Sequence, residues 1–410
     1  MKKILATMAP IAAGLLLMPT VSYADGHAAP SICGSGEAAT GEPIGIGAIV
    51  GQTGPADFSS AAKAAAAVFA CVNANGGING RPIAYSVEDD AWNPENAANA
   101  AARLVTDQGV VAMAGSTSFV ECGTNAAFYE ENGVGVIAGV GVPRECFFSE
   151  NIAPMNMGPR LSTLGAAIDA FENDGARSFV CMAPNIPNVG GWFCEGLAAW
   201  GADKGVSVAN VLHDPATLDP TSLVLQAMSS NPDAILVAEP AAAAIPIFNA
   251  AEDQDLLEDA LWLGPTSIYD TAFPDAIGDY WDGAVRAHIE FNALDSDGAD
   301  NQAWLAIMDA YGQSGDPRDS FSQAGYLSAK AMLGVLRDID GDITRDTVLA
   351  GLKSMTPMES DLLCDPWAFG DGARHNANQS GRIATIKDGA WEVTRDCFLS
   401  DDPELADIAQ

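Results

Sequence analysis

Basic residues are scarce in this chain. Its 19 lysines and arginines face 54 aspartates and glutamates over 410 residues, a net charge of −35. A surface of that sign repels nucleic acid and anionic lipid, so neither is expected as a partner. Histidine is scarcer still. His27, His213, His288 and His375 are scattered, with no H-E-x-x-H and no close metal-ligand pair. No C-x-x-C occurs, which removes zinc-ribbon and thioredoxin-like readings. No G-x-S-x-G elbow occurs either; "GQSG" at 312–315 lacks the spacing. The Asp-rich "DIDGDITRD" (338–346) lacks the glutamate that closes a calcium loop. The chain is therefore read as a non-enzyme without metal or cofactor. Long apolar runs are also missing after the first 24 residues, which excludes a later membrane span of about 20 residues.

Those first residues read as an export signal. Lys2 and Lys3 start it, "ILATMAPIAAGLLLM" is its apolar middle, and Ser22 and Ala24 are the small residues expected before cleavage after Ala24. The apolar stretch, broken by Pro10, is short for a membrane anchor. About 386 residues remain, enough for two domains, with 17 basic residues against the same 54 acidic ones, a net −37. In an exported chain, eight cysteines are expected to pair. Joining neighbours gives Cys33–Cys71, Cys122–Cys146, Cys181–Cys194 and Cys364–Cys397.

Residues 25–42 are polar and Gly-rich, a tether. An alternation follows: strand "IGIGAIV" (44–50), helix 59–73, strand "IAYSVED", helix "NPENAANAAARLVTDQG" with Pro94 placed early, strand "VVAMAG", helix "CGTNAAFYEENG" and strand "VGVIAGV". A second series runs from helix 161–174 through strands "SFVCMAP", "VSVANVL", "AILVAE" and "LWLGP", with helices between them. "GAVRAHIEF" (283–291) reads as an extended return, followed by helices near 301–312, 320–338 and 344–354 and a strand "GRIATIKDGAWEV". Strand–helix alternation indicates parallel sheets covered on both faces, here in two lobes with a cleft between them.

"GIGAIVGQTGP" (45–55) has glycines spaced loosely as in a dinucleotide fingerprint. That motif needs its glycines in the turn after the strand, where amides meet a pyrophosphate. Gly45 and Gly47 lie inside the strand, and the next acidic group, at Glu88, is far downstream. The glycines are read as allowing a helix to pack closely on the sheet.

With its neighbours added, the stretch resembles the start of a type I periplasmic binding protein, in the leucine/isoleucine/valine-binding branch of ABC-importer receptors. The residues that carry the resemblance are "TGP", "NANGGINGRPI", "VEDD" and "NPENA", and more weakly "YEENGVGVI" and "GWFCEGL". The resemblance implies an α/β fold of two Rossmann-like lobes with parallel sheets joined by a three-segment hinge. On that basis residues 44–156 and 290–360 form lobe 1, and 157–289 and 361–400 form lobe 2. Residues 25–43 are an N-terminal extension and 401–410, with "DDPELAD", a solvated acidic tail.

Ligands of open α/β sheets sit beyond the carboxyl ends of strands, so the cleft loops are the candidate site. "GSTSF" offers Ser116, Thr117 and Ser118 at a helix start. They either cap the helix or, as the resemblance implies, hold a ligand carboxylate, with Phe119 beside them. On the neighbouring loop, Gly141 and Val142 fall where the family uses backbone and a threonine hydroxyl; Val142 lacks the hydroxyl. Arg144, two residues on, could replace it or pair with a surface acid. Phe58, Trp192 and Phe193 stand where the family places aromatics over the ligand, and equally suit simple packing. Amino-acid-binding relatives tend to carry an acid after "GP"; this chain has Thr266, followed by Tyr269. An ammonium then depends on Glu239, Glu121 or Asp270, which argues against a branched-chain amino acid and for a small carboxylate, aromatic or amino-acid-like. The expected role is a periplasmic, monomeric receptor that hands a small molecule to ABC permease subunits. The alternative is a sensor subunit of the same fold.

Overall fold

The computed structural model describes residues 30–376 and 378–405. The expected export signal and the expected cleavage after Ala24 lie outside the described residues. No helix among the described residues is long and apolar enough to cross a membrane.

Lobe 1 is built on a five-stranded parallel sheet in the order β2-β1-β3-β4-β5. Its strands are β1 (Ile44–Val50), β2 (Ile83–Asp89), β3 (Ala112–Ser118), β4 (Gly135–Gly141) and β5 (Ile152–Pro154). Helices α1 (Ser60–Ala74), α2 (Pro94–Ala102) and α3 (Glu121–Glu131) connect them. Pro94 opens α2, and Asn93 caps it by accepting from the amides of Glu95 and Asn96, because a proline costs no hydrogen bond in the first turn. Strands β3 and β4 are buried throughout, as parallel strands covered on both faces must be. The glycines of the opening stretch act in packing: a Cβ on Gly47 would sit 3.3 Å from a methyl of Leu104, which follows α2.

Lobe 2 carries a seven-stranded sheet in the order β12-β11-β10-β9-β8-β6-β7. Its strands are β6 (Ser178–Pro184), β7 (Ser207–His213), β8 (Ala234–Val237), β9 (Leu261–Pro265), β10 (Val285–Ile289), β11 (Ser380–Lys387) and β12 (Ala390–Leu399). Its helices include α4 (Gly158–Asn173), α5 (Gly190–Gly201), α6 (Pro220–Met228), α7 (Ala241–Glu252) and the short α8 (Phe273–Ile277). The segment read as an extended return is the paired strand β10, parallel to β9 and antiparallel to β11. The single strand expected near the C-terminus is a hairpin instead, β11 and β12, turning at Asp388 and Gly389 with positive φ at both. Asp-Gly is the residue pair that such a two-residue turn selects.

After β10 the chain returns to lobe 1 as α9 (Ala299–Tyr311), α10 (Ser320–Asp338) and α11 (Arg345–Lys353). Helix α10 lies against α1 closely enough that a Cβ on Gly325 would fall 1.9 Å from the carbonyl oxygen of Ala61. Only glycine permits that approach. The third crossing falls later than the boundary at residue 360. Trp367 donates to the carbonyl of Pro154 and His375 to that of Phe147, so this segment covers the edge of β5 in lobe 1 before β11 begins in lobe 2. An edge strand is favoured by such a cover, a long-range demand that composition does not display.

All four disulfides join the expected neighbours: Cys33–Cys71, Cys122–Cys146, Cys181–Cys194 and Cys364–Cys397. The first ties the N-terminal extension to α1, and the second ties α3 to the loop after β4.

Candidate functional site

Between the carboxyl ends of the two sheets lies a narrow slot. It holds about 390 Å³ of space counted out to its mouth. Lobe 1 contributes Phe58, Phe119, Val140, Val142, Asn156 and Phe321. Lobe 2 contributes Pro159, Phe193, Ala238, Glu239, Pro240, Pro265, Thr266 and Ser267. Among the described residues, no lysine or arginine lines it.

The lobe 1 wall is aromatic. Phe58 lies 5.1 Å from Phe119 and 5.0 Å, edge-on, from Phe321, while Trp92 stacks behind Phe119 at 4.1 Å. The "EDD" stretch builds this wall. Asp89 Oδ1 accepts from the amides of Gln52, Thr53 and Ala91, and Oδ2 from the Thr53 hydroxyl. Asp90 accepts from the Trp92 amide and the Ser118 hydroxyl. Those bonds hold Ala91 and Trp92 at φ of 50° and 61°. Left-handed backbone at two successive non-glycine residues is strained, and the two aspartates keep Trp92 pressed against Phe119.

On lobe 2 the polar features gather at Glu239. Its Oε1 lies 2.6 Å from His213 Nε2, and its carbonyl accepts from the Ser267 hydroxyl at 2.6 Å. Burial raises the Glu239 carboxyl above its usual range, with His213 opposing. Burial alone would lower His213, but its bond to Glu239 and that residue's charge raise it overall. Across the slot, Thr266 Oγ1 meets Ser320 Oγ of lobe 1 at 3.1 Å.

The profile of the family described as periplasmic binding protein matches residues 43–390, most of the chain. The chain belongs to that family. Many solved structures share the fold of this periplasmic binding protein. One is an ABC-transporter solute-binding protein from R. palustris in complex with 4-hydroxybenzoate: 20% identical, covering 89% of this chain and 100% of that one, TM-score 0.76. Another, from Rhodopseudomonas palustris BisB5 in complex with 3,4-dihydroxybenzoic acid, is 19% identical over 88% and 99%, TM-score 0.74. A fatty acid ABC transporter substrate-binding protein from Thermomonospora curvata is 19% identical over 92% and 96%, TM-score 0.74. At such identities the likeness is one of fold. No curated protein matches the chain in sequence.

Of the residues singled out from the sequence of this periplasmic binding protein, Phe58, Phe119, Val142, Phe193, Glu239 and Thr266 line the slot. Ser116, Thr117 and Ser118 do not. Strand β3 runs on through Ser118, and the Ser116 and Ser118 hydroxyls bond within lobe 1. Ser116 Oγ accepts from the Ile49 amide and donates to Glu121, while Ser118 Oγ accepts from the amides of Val120 and Glu121 at the start of α3. Gly141 is bonded through both its amide and its carbonyl to the side chain of Asn156, which does line the slot.

Arg144 and Trp192 meet at the cleft's rim, outside the slot, and the C-terminal segment joins them. Arg144 Nη2 pairs with Glu404 Oε1 at 3.0 Å, and its guanidinium lies over Phe148. Trp192 Nε1 donates to Glu404 Oε2 at 3.2 Å. Asp402 accepts from Arg160 at 2.7 and 3.1 Å in a fully buried pair. The "DDPELAD" run is thus docked through Leu405 rather than solvated, because its partner is a buried arginine more than two hundred residues away. Tyr269 accepts from the Leu294 amide and packs on Trp391, at the mouth rather than in the slot. Glu121 is committed to Tyr129 and Ser116 under the sheet.

Sequence reasoning missed Phe321, Asn156, Pro159 and Ser267. Asn156, a polar residue inside "APMNMGP" at a lobe crossing, could have been noticed. Phe321 carries no local signal, since only the packing of α10 on α1 brings it beside Phe58.

Proposed function

We propose that the protein is the exported receptor of an ABC importer. It closes its two lobes on a small solute with a flat, largely apolar body and presents the closed form to membrane permease subunits. The observation that carries this reading is the slot itself, whose aromatic and proline walls come from both lobes. A thin apolar gap suits a ring or a short chain, and polar groups at one end orient it. The benzoates and the fatty acid in the names of similar proteins support that class. In this reading the leader is removed after Ala24, the mature receptor works as a monomer in the periplasm, and binding without chemistry is its whole task. Phe58, Phe119, Val142, Phe193, Glu239 and Thr266 contact the solute, and Phe321 joins them.

Closure shifts only as far as the solute prefers the closed state. Mass spectrometry of small molecules released on denaturing the purified protein tests the class directly. A flat apolar compound is expected. Tight calorimetric binding of leucine, with no such compound eluted, overturns the proposal.

A further inference from the structure

This inference rests on the reading that the solute's apolar body occupies the slot. The polar side chains around that body are already engaged within the protein. Asn156 is bonded to Gly141, Ser267 to the Glu239 carbonyl, and Thr266 to Ser320. Glu239 is the exception. Its Oε1 is taken by His213, yet no hydrogen bond reaches Oε2 among the described residues, and the residue is only 2% exposed. Glu239 lines the slot, and Oε2 keeps some exposure there, so a ligand hydroxyl can replace water as its donor.

The charge around it narrows the donor. His213 Nε2 at 2.6 Å occupies Oε1, so the carboxyl offers one remaining acceptor, which suits a single hydroxyl donor better than an ammonium with three N–H donors. The mouth of the cleft presents Asp57, Asp270 and Asp319, with Asp57 paired to Lys63. Among the described residues, a ligand carboxylate finds no lysine or arginine in the slot.

We propose that Glu239, oriented by His213, accepts a hydrogen bond from a hydroxyl on the ring held in the slot, so that hydroxylated aromatic rings are the preferred ligand class. Hydrogen bonds to charged groups are worth enough to set a preference of about 10- to 100-fold over the ring without the hydroxyl.

Calorimetric titration of the full mature chain with matched pairs tests this: 4-hydroxybenzamide against benzamide, and 4-hydroxybenzoate against benzoate. The hydroxylated member is expected to bind at least about tenfold tighter in the wild type. In Glu239→Met the margin between the hydroxylated and the plain ring falls below about threefold. Glu239→Gln retains the shape and a neutral acceptor, and shows an intermediate margin; it carries the comparison should the Met variant fail to fold. An unchanged margin in the variants, or none in the wild type, overturns the assignment of Glu239 while leaving the slot reading intact. Tight binding of phenylalanine that Glu239→Met abolishes overturns it in favour of an ammonium. Failure of all four ring compounds to bind, with an eluted ligand that has no ring, removes the slot reading and the inference with it.

Discussion

Glu121 sits beneath the aromatic wall with its carboxyl between Tyr129 and Ser116. Burial pushes its pKa up to about 8, against the opposing hydrogen bond from Tyr129. The folded chain therefore keeps the proton over a range in which the unfolded chain, with an ordinary carboxyl, has lost it. Between those two pKa values the folded state binds more protons, so stability falls as pH rises through the window. Glu121→Gln mimics the protonated form. Its melting temperature is expected to fall less than the wild type's between about pH 5 and pH 8, by a few degrees, in fluorimetric melts. Phe321 makes a prediction of another kind. Its ring faces Phe58 edge-on at the slot and is only half-buried, so Phe321→Ala is expected to weaken solute binding about tenfold with a small change in melting temperature. Calorimetry with the eluted solute checks it.

Among elements, the segment 401–405 touches both lobes. Asp402 anchors it to Arg160 in lobe 2, and Glu404 extends to Arg144 in lobe 1. It therefore straps the rim of the cleft. The Arg144–Glu404 contact is partly exposed, which limits its worth to about 1 kcal/mol. Glu404→Gln is expected to speed solute release by less than about tenfold in stopped-flow fluorescence, with little change in stability. Helix α5 makes room for the anchor at Gly196, where a Cβ would lie 2.7 Å from Asp402 Oδ2 and 2.8 Å from Arg160 Nε. Gly196→Ala must displace one of them, and breaking a buried pair costs about 3–5 kcal/mol. A large fall in chemical-denaturation midpoint is the expected readout, and an unchanged one contradicts the strap. Strand β3 teaches the same lesson about reach. Its apolar start is legible, but its length is set by pairing with β4 as far as Ser118 and Gly141, and that extension commits the Ser116 and Ser118 hydroxyls to bonds within lobe 1.

For the whole molecule, the titrating groups act in opposition. Burial lowers His288 to about 3 and His375 to about 4, so stability is lost as pH falls below the ordinary histidine range. Burial raises Glu121 and Glu290 to about 8 and Asp319 to about 6, so stability is lost as pH rises above the ordinary carboxyl range. The net charge of −35 adds self-repulsion on the alkaline side. The melting temperature is therefore expected to peak in mildly acidic buffer, and a plateau extending to pH 9 in a melting series contradicts this balance.

Local chemistry sufficed for the alternation of strand and helix, the early proline of α2 and the neighbour pairing of the cysteines, since each rests on residues close in the chain or on period alone. It sufficed also for the family likeness, because "TGP" and "EDD" meet across one loop through Asp89. Which side chains face the slot depended on contacts between distant segments. Phe321 reaches Phe58 only because a glycine lets α10 lie on α1, and Arg144 leaves the cleft only because the C-terminus offers it a carboxylate. Periodicity determines elements; the direction in which a side chain at an element's end points is decided by whatever the rest of the fold brings to meet it.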